Sequence, residues 1–335
     1  MARARPLAGR RQELLLVDGF AGPGRYLGGE PGSPIVMIDA FLEHQDRAAI
    51  ERTVLRYVFI ESHRGRFEHL VGELERLKSA LPGNVKIVPI QGEYGDVMET
   101  LLADSSERVP TFAFLDPFGY ADTHLTLTSE ILKFPRCEVL IYIPTHHIAR
   151  FVSEPDVANA LDLLYGGREW ENSIDMPFDE RLPLLKELFH RALGRHADFV
   201  RSFEIITSAG GGYDLFFATK NELGLKKMKE AMWKIDPVNG RAFRFQPEDP
   251  QLHLFDAEPD TLPLRHALRM RFDLEPFTVA EAERFVALET DFIEDRHLKR
   301  ATLAPLEAEG RLQVQRPASA RKGSWPASTV LRFAW

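Results

Sequence analysis

Short apolar runs ending in an acidic residue or a glycine recur along the first half of the chain. The first is Leu14-Leu15-Leu16-Val17-Asp18-Gly19-Phe20, and further runs occupy residues 56–61, 85–90, 111–116 and 138–143. Runs of this length closed by turn residues read as strands buried on both faces, the pattern of a parallel sheet. Between them, residues 33–44, 64–80 and 123–133 repeat apolar positions at helical spacing, the first with Ser33 as expected N-cap and Pro34 at the first helical position. Strand and helix alternate, which predicts an α/β sheet with helices on both faces.

After Ile143 the pattern turns helical, over residues 156–165 and 179–193, and predicts a helical lid spanning about 150–198. Residues 199–208 and 213–219, separated by Ala209-Gly210-Gly211-Gly212, read as an antiparallel hairpin closing the sheet, followed by a helix over 221–234. Residues 247–260 are rich in proline and acid without apolar periodicity, which predicts a linker between a Rossmann-type domain over 1–248 and a second domain over 262–335. In that second domain three helices (264–272, 278–289, 294–309) precede two strands (311–314, 329–333) joined by a basic loop over 316–324, the order of a winged helix-turn-helix.

Charge sharpens this division. Residues 296–335 carry a balance of +6 and residues 1–295 one of −14, so a basic end sits on an acidic body, the polarity of a module facing nucleic acid. Arg296, Lys299 and Arg300 at the start of the third helix, with Arg316, Arg321 and Lys322 in the wing, are the expected DNA or RNA contacts. The single cysteine, Cys137, excludes an internal disulfide and a multi-cysteine metal site, and is expected buried at a strand start. No apolar run approaches the roughly 20 residues of a membrane span, and the first residues lack the apolar stretch of a signal peptide, so a cytoplasmic protein is expected.

The strand ends carry the chemistry. In Asp18-Gly19-Phe20-Ala21-Gly22-Pro23-Gly24 the glycines allow close backbone approach to a ligand, and exposed amides near the first helix suit an anionic group. Glu61 ends the second strand, where a carboxylate can accept both ribose hydroxyls of a nucleoside. Gln91-Gly92-Glu93-Tyr94 ends the third, suited to an adenine edge and face. The expected cofactor residues are Asp18, Phe20, Gly22, Gly24, Glu61, Ser62, Glu93 and Tyr94, and the expected cofactor is S-adenosylmethionine (SAM).

The fourth strand ends in Asp116-Pro117-Phe118-Gly119-Tyr120. This resembles the Asp/Asn-Pro-Pro-aromatic motif of amino-group methyltransferases, whose oxygen acceptors orient a target NH2 while the aromatic ring stacks on the base. The expected catalytic residues are therefore Asp116, Pro117, Phe118 and Tyr120, with Phe118 standing where the motif has its second proline. The alternative is that Asp116 merely caps the following helix. His146-His147 reads as a loop pair rather than a metal site, and the triple glycine as a hairpin turn rather than a phosphate loop.

Taken together, Asp18 to Arg25, Gly32-Ser33-Pro34, Phe59-Ile60-Glu61, Phe114 to Gly119, Phe217 to Asn221 and Met228 to Trp233 resemble the three-Cys-motif partner protein (TcmP) family over nearly the whole chain. Glu93 stands where family members usually carry Asp. The resemblance implies a methyltransferase-like fold, a winged-helix C-terminus and a radical-SAM-like three-Cys-motif protein as partner. It names no substrate. Two functions stay open: SAM-dependent methylation of an exocyclic amine, foremost of a nucleic-acid base, or a non-catalytic subunit that targets the partner to nucleic acid.

Overall fold

The computed structural model describes residues 13–45, 52–103, 109–117, 125–207, 211–244, 258–321 and 323–334. The expected linker lies mostly outside these residues, as do Phe118, Tyr120 and Lys322. In chain order the first elements are β1 (Glu13–Asp18), α1 (Ser33–Leu42), β2 (Val54–Glu61), α2 (Arg64–Leu77), β3 (Val85–Gln91), α3 (Tyr94–Ala103), β4 (Thr111–Leu115), α4 (Leu125–Leu132) and β5 (Cys137–Ile143). Then come α5 (Thr145–Phe151), α6 (Ala158–Tyr165), α7 (Phe178–Gly194), β6 (Phe199–Ile206), β7 (Gly212–Thr219), α8 (Glu222–Ile235) and β8 (Ala242–Arg244). The chain forms two compact units, one of residues 1–200 with 213–220, the other of residues 201–212 with 221–335.

In the first unit the strands lie in the order β3-β2-β1-β4-β5-β7. The first five are parallel, and β7 runs antiparallel to β5 with Glu138 opposite Thr219 and Ile143 opposite Asp214. The apolar runs become central strands because both faces are covered: Val17, Ala113, Val139 and Ile141 are fully buried on one face and Phe59 on the other. Cys137 is buried where β5 begins. The segment expected as a lid contains α6 and α7, whose Leu161, Leu164, Leu185 and Phe189 join the core beside β5, as does Ile148 of α5 just before it. Two short helices, α3 and α5, escape the periodicity reading because each follows its strand within three residues. Ser33 is not the N-cap of α1. Gly32 holds that position, without a side-chain cap, and Ser33 is the first helical residue.

In the second unit β6 pairs in parallel with β8. Asn221 caps α8 by accepting from the amides of Leu223 and Gly224, as its side-chain oxygen favours. After residue 257 follow α9 (Leu262–Phe272), β9 (Phe277–Thr278), α10 (Val279–Glu289), a wide-wound π-helical stretch (Glu294–Leu303) running into α11 (Ala304–Ala308), β10 (Leu312–Gln315) and β11 (Val330–Phe333). Thr278 and Glu281 form a reciprocal capping box at the start of α10. The three strands make an antiparallel sheet in the order β10-β11-β9, and β9 is too short to read from sequence. The core of this unit includes Trp233 of α8 together with Leu264, Leu268, Val279, Val286, Leu298, Leu303 and Leu331. Trp233 donates its indole N–H to Asp291 O at 2.7 Å. Lys229 is buried and donates to Val286 O and Ala287 O, both at 2.9 Å. Arg201 donates to Leu288 O at 2.7 Å. Two cations thus satisfy the last carbonyls of α10, which no helical amide can reach.

Burial, with Arg201 nearby, lowers the Lys229 ammonium pKa to about 7, against the attraction of Glu294 and Asp291. The unfolded chain then binds more protons than the folded one between about pH 7 and the ordinary lysine value near 10. Stability should rise with pH across that window. Denaturant unfolding of the parent and of Lys229→Met at pH 7 and pH 9 checks this, since the variant should lack that share of the rise.

Candidate functional site

The sheet order reverses between β1 and β4, and their carboxyl ends border the crevice where open α/β sheets place ligands. Asp18 ends β1 and is fully buried. Its Oδ1 accepts from Phe20 N at 3.2 Å and its carboxylate bonds the Ser33 side chain, while Oδ2 has no partner among the described residues. Burial raises its pKa to about 6, opposed by those two hydrogen bonds and assisted by the charges of Asp116 and Glu61. Ser33, the first residue of α1, thus lies beside this acid.

The loop after Asp18 is strapped to both neighbouring strands, Gly19 N donating to Phe114 O at 2.9 Å and Ala21 N to Ile60 O at 2.8 Å. Gly22 and Gly24 have φ of +62° and +77°, conformations that other residues adopt at a cost. A Cβ on Gly22 would meet nothing within 4 Å, so the backbone there borders open space. Gly32 N donates to Gly24 O at 2.7 Å and brings the start of α1 onto the loop.

Beside this loop lies a cleft of about 240 Å3 lined by Gly19, Phe20, Ile60, Glu61, Ser62, Arg66, Gly92, Glu93 and Tyr94. Of the expected cofactor residues, Phe20, Glu61, Ser62, Glu93 and Tyr94 line it directly, and Asp18, Gly22 and Gly24 belong to the adjoining strand end and loop. The Glu61 carboxylate is buried, and its Oε1 accepts from His63 N at 2.7 Å and from Arg66 Nε at 3.0 Å. Arg66 also reaches Oε1 with a terminal nitrogen at 2.8 Å. Its hydrogen bonds among the described residues all fall on Oε1, which leaves Oε2 for a ligand. The Tyr94 ring lies 5.2 Å from that of Phe20, and its buried hydroxyl has no partner among the described residues. Arg66 was not legible in sequence, because it meets Glu61 only through the turn that opens α2.

Asp116 follows β4 with its side chain still open to solvent, yet surrounded by enough protein that desolvation raises its pKa. Pro117 is buried. Sequence reasoning also missed Tyr142 of β5 and Tyr213 of β7, whose ring centroids are 4.5 Å apart. Burial raises both phenol pKa values, and the Asp116 carboxylate adds to the rise. Next to Tyr213, Asp214 is buried, accepts from Thr145 Oγ1 and pairs with Lys186 at 3.1 Å. His146 and His147 sit on α5 rather than in a loop, and no group of three metal-ligating side chains is assembled among the described residues.

In the second unit the basic side chains divide. Lys299 pairs with Glu283. Arg316 grips Glu307 through two bonds of 2.6 Å, donates to Ser324 O at 2.9 Å and lies 4.9 Å over the Trp325 ring. Arg296, Arg300 and Arg321 are exposed. No described helix is long and apolar enough to cross a membrane.

No protein-family profile and no curated protein sequence matches the chain. Solved structures similar to it include the O-methyltransferase TomG of Streptomyces achromogenes in complex with SAM, at 18% identity over 62% of this chain and 73% of that one, with a TM-score of 0.34. Another is an O-methyltransferase from Bacillus cereus in complex with SAH, at 11% identity over 62% and 74%, with a TM-score of 0.33. A third is the N-terminal domain of human METTL16 in complex with SAH, at 10% identity over 63% and 62%, with a TM-score of 0.30.

Because the folded-state pKa of Asp18 lies above that of the unfolded chain, its protonated form adds stability that is complete below about pH 4 and disappears as pH rises through 6. Asp18→Asn should therefore be as stable as the parent at pH 4 and more stable at pH 7. Thermal unfolding of both proteins at the two pH values tests the sign.

Proposed function

We propose that the chain is a SAM-dependent methyltransferase acting on an exocyclic amine, foremost of a nucleic-acid base, and working with a radical-SAM-like three-Cys-motif protein. The observation carrying this reading is the convergence at one switch point of a nucleoside-sized cleft with Glu61 and Tyr94 and, across β1 and β4, of Asp18 and Asp116. The residues fit such a cofactor. Glu61 Oε2 is available for ribose hydroxyls, Phe20 and Tyr94 for the adenine faces, Glu93 for its edge, and the open backbone at Gly22 for the amino-acid end.

When bound, SAM supplies an electrophilic methyl group. The protein's part is to orient the acceptor. Asp116 accepts a hydrogen bond from the amine N–H, which turns the nitrogen lone pair toward the methyl donor. Its raised pKa makes it the better acceptor for the proton the nitrogen sheds. Buried Pro117 stiffens the loop, and Phe118 or Tyr120 stacks on the base. We further read the second unit as a winged helix whose exposed Arg296, Arg300 and Arg321 contact DNA or RNA phosphates.

A second reading is favoured by the occupation of Glu61 Oε1 by Arg66 and by Phe118 in the motif's second proline position. In it the chain is a non-catalytic subunit that targets the partner protein to nucleic acid.

Calorimetric titration with SAM and SAH separates the two. On the first reading Glu61→Ala should weaken SAM binding by about 1.5–3 kcal/mol, the worth of a charge-assisted acceptor. Asp116→Ala should abolish transfer while leaving cofactor affinity nearly intact. Parent protein that binds neither ligand supports the second reading, and undiminished turnover by Asp116→Ala refutes the role given to that residue. For the second unit, duplex DNA binding by the full chain should weaken steeply with salt. Replacing Arg296, Arg300 and Arg321 together by Gln should flatten that dependence, whereas an unchanged slope would exclude the surface.

A further inference from the structure

Strand register places three side chains at one corner of the sheet. Leu115 of β4 lies level with Ile141 of β5, so the next pair along the two strands is Asp116 and Tyr142. On the other side of β5, Ile143 lies opposite Asp214 of β7, and Tyr213 is the residue beyond. The two tyrosines therefore come from different strands and meet at the carboxyl end of β5, with ring centroids 4.5 Å apart and planes inclined at 44°. Both rings are only half-buried, although Ile141, Ile143 and Asp214 beside them are buried.

We propose that Tyr142 and Tyr213 form the platform on which the methyl acceptor lies, and that this platform selects a planar heteroaromatic amine over an aliphatic one. The inference rests on the methyl-transfer reading of the site. At 4.5 Å the two rings touch each other and leave no slot between them for an ammonium group, which excludes a cage for a protonated lysine. What they offer is a pair of adjoining aromatic faces inclined at 44°, on one of which a flat base gains stacking contact regardless of its identity while the other borders its edge. Burial, and secondarily the Asp116 carboxylate, raises the pKa of both phenols further above physiological pH, where they are neutral hydrogen-bond donors. An amine on a base stacked this way is then presented to Asp116. Cross-strand aromatic packing would account for the contact between the rings. It does not account for their placement beside the acid, where a purely structural pair gains nothing.

Binding of cytidine and guanosine to the full chain, followed by ligand-observed NMR at saturating SAH, tests the platform, because SAH fills the adenosine cleft. Replacing both residues by Leu should weaken nucleoside binding about 10-fold, with SAH affinity and thermal unfolding unchanged. The double Phe variant should keep nucleoside binding near that of the parent. Equal nucleoside binding by the Leu variant overturns the proposal. So does a parent protein that binds neither nucleoside, or that prefers Nα-acetyl-lysine amide to both. Failure of the parent to bind SAH would instead strike the methyl-transfer reading, and the nucleoside measurements would still judge the platform.

Discussion

Three carboxylates, Asp18, Glu61 and Asp116, stand at the ends of three adjacent parallel strands, and the site around them is arranged to tolerate that concentration of negative charge. Each is treated differently. Glu61 is held by a guanidinium and a backbone amide. Asp18 receives only a hydroxyl and one amide in a fully buried setting, so its neutral form is favoured more than that of an ordinary aspartate. Asp116 keeps access to solvent and a moderated desolvation. Three acids of similar intrinsic strength thus acquire distinct chemical characters from their surroundings.

Much of this was legible in sequence because parallel strands announce themselves twice, by uninterrupted apolar runs and by the polar residues that must end them. Asp18, Glu61 and Asp116 were read in this way. Residues whose role depends on pairing between distant segments were not. Tyr142 occupies an ordinary strand position until antiparallel β7 brings Tyr213 against it, and nothing in the local pattern around either residue signals the meeting. Ser33 was misread because Ser-Pro at a helix start has the signature of a cap, whereas the helix begins one residue earlier, with Gly32 at the cap position and Ser33 inside. Arg66 is hidden by a turn.

The basic C-terminal end illustrates the limit of counting charges. Of the cations that the sequence offers for nucleic acid, Lys299 and Arg316 are joined to Glu283 and Glu307. Arg316 also closes the loop between β10 and β11 by holding Ser324 and Trp325. Its removal would loosen that loop as well as change its charge. The net positive balance of the segment is real, but the accessible part of it is carried by fewer side chains than the total suggests.

The chain passes from one compact unit to the other at residue 200, returns at 213 and leaves again after 220. A proteolytic cut in the proline- and acid-rich segment 247–260 would therefore sever the chain between α9 to β11 and Arg201, Lys229 and Trp233, which belong to the same unit. The fragment would lack the indole of Trp233 and the Lys229 and Arg201 donors to the last carbonyls of α10. The two units are thus interleaved along the polypeptide, and a ribosome must deliver nearly the whole chain before the second one has all its parts.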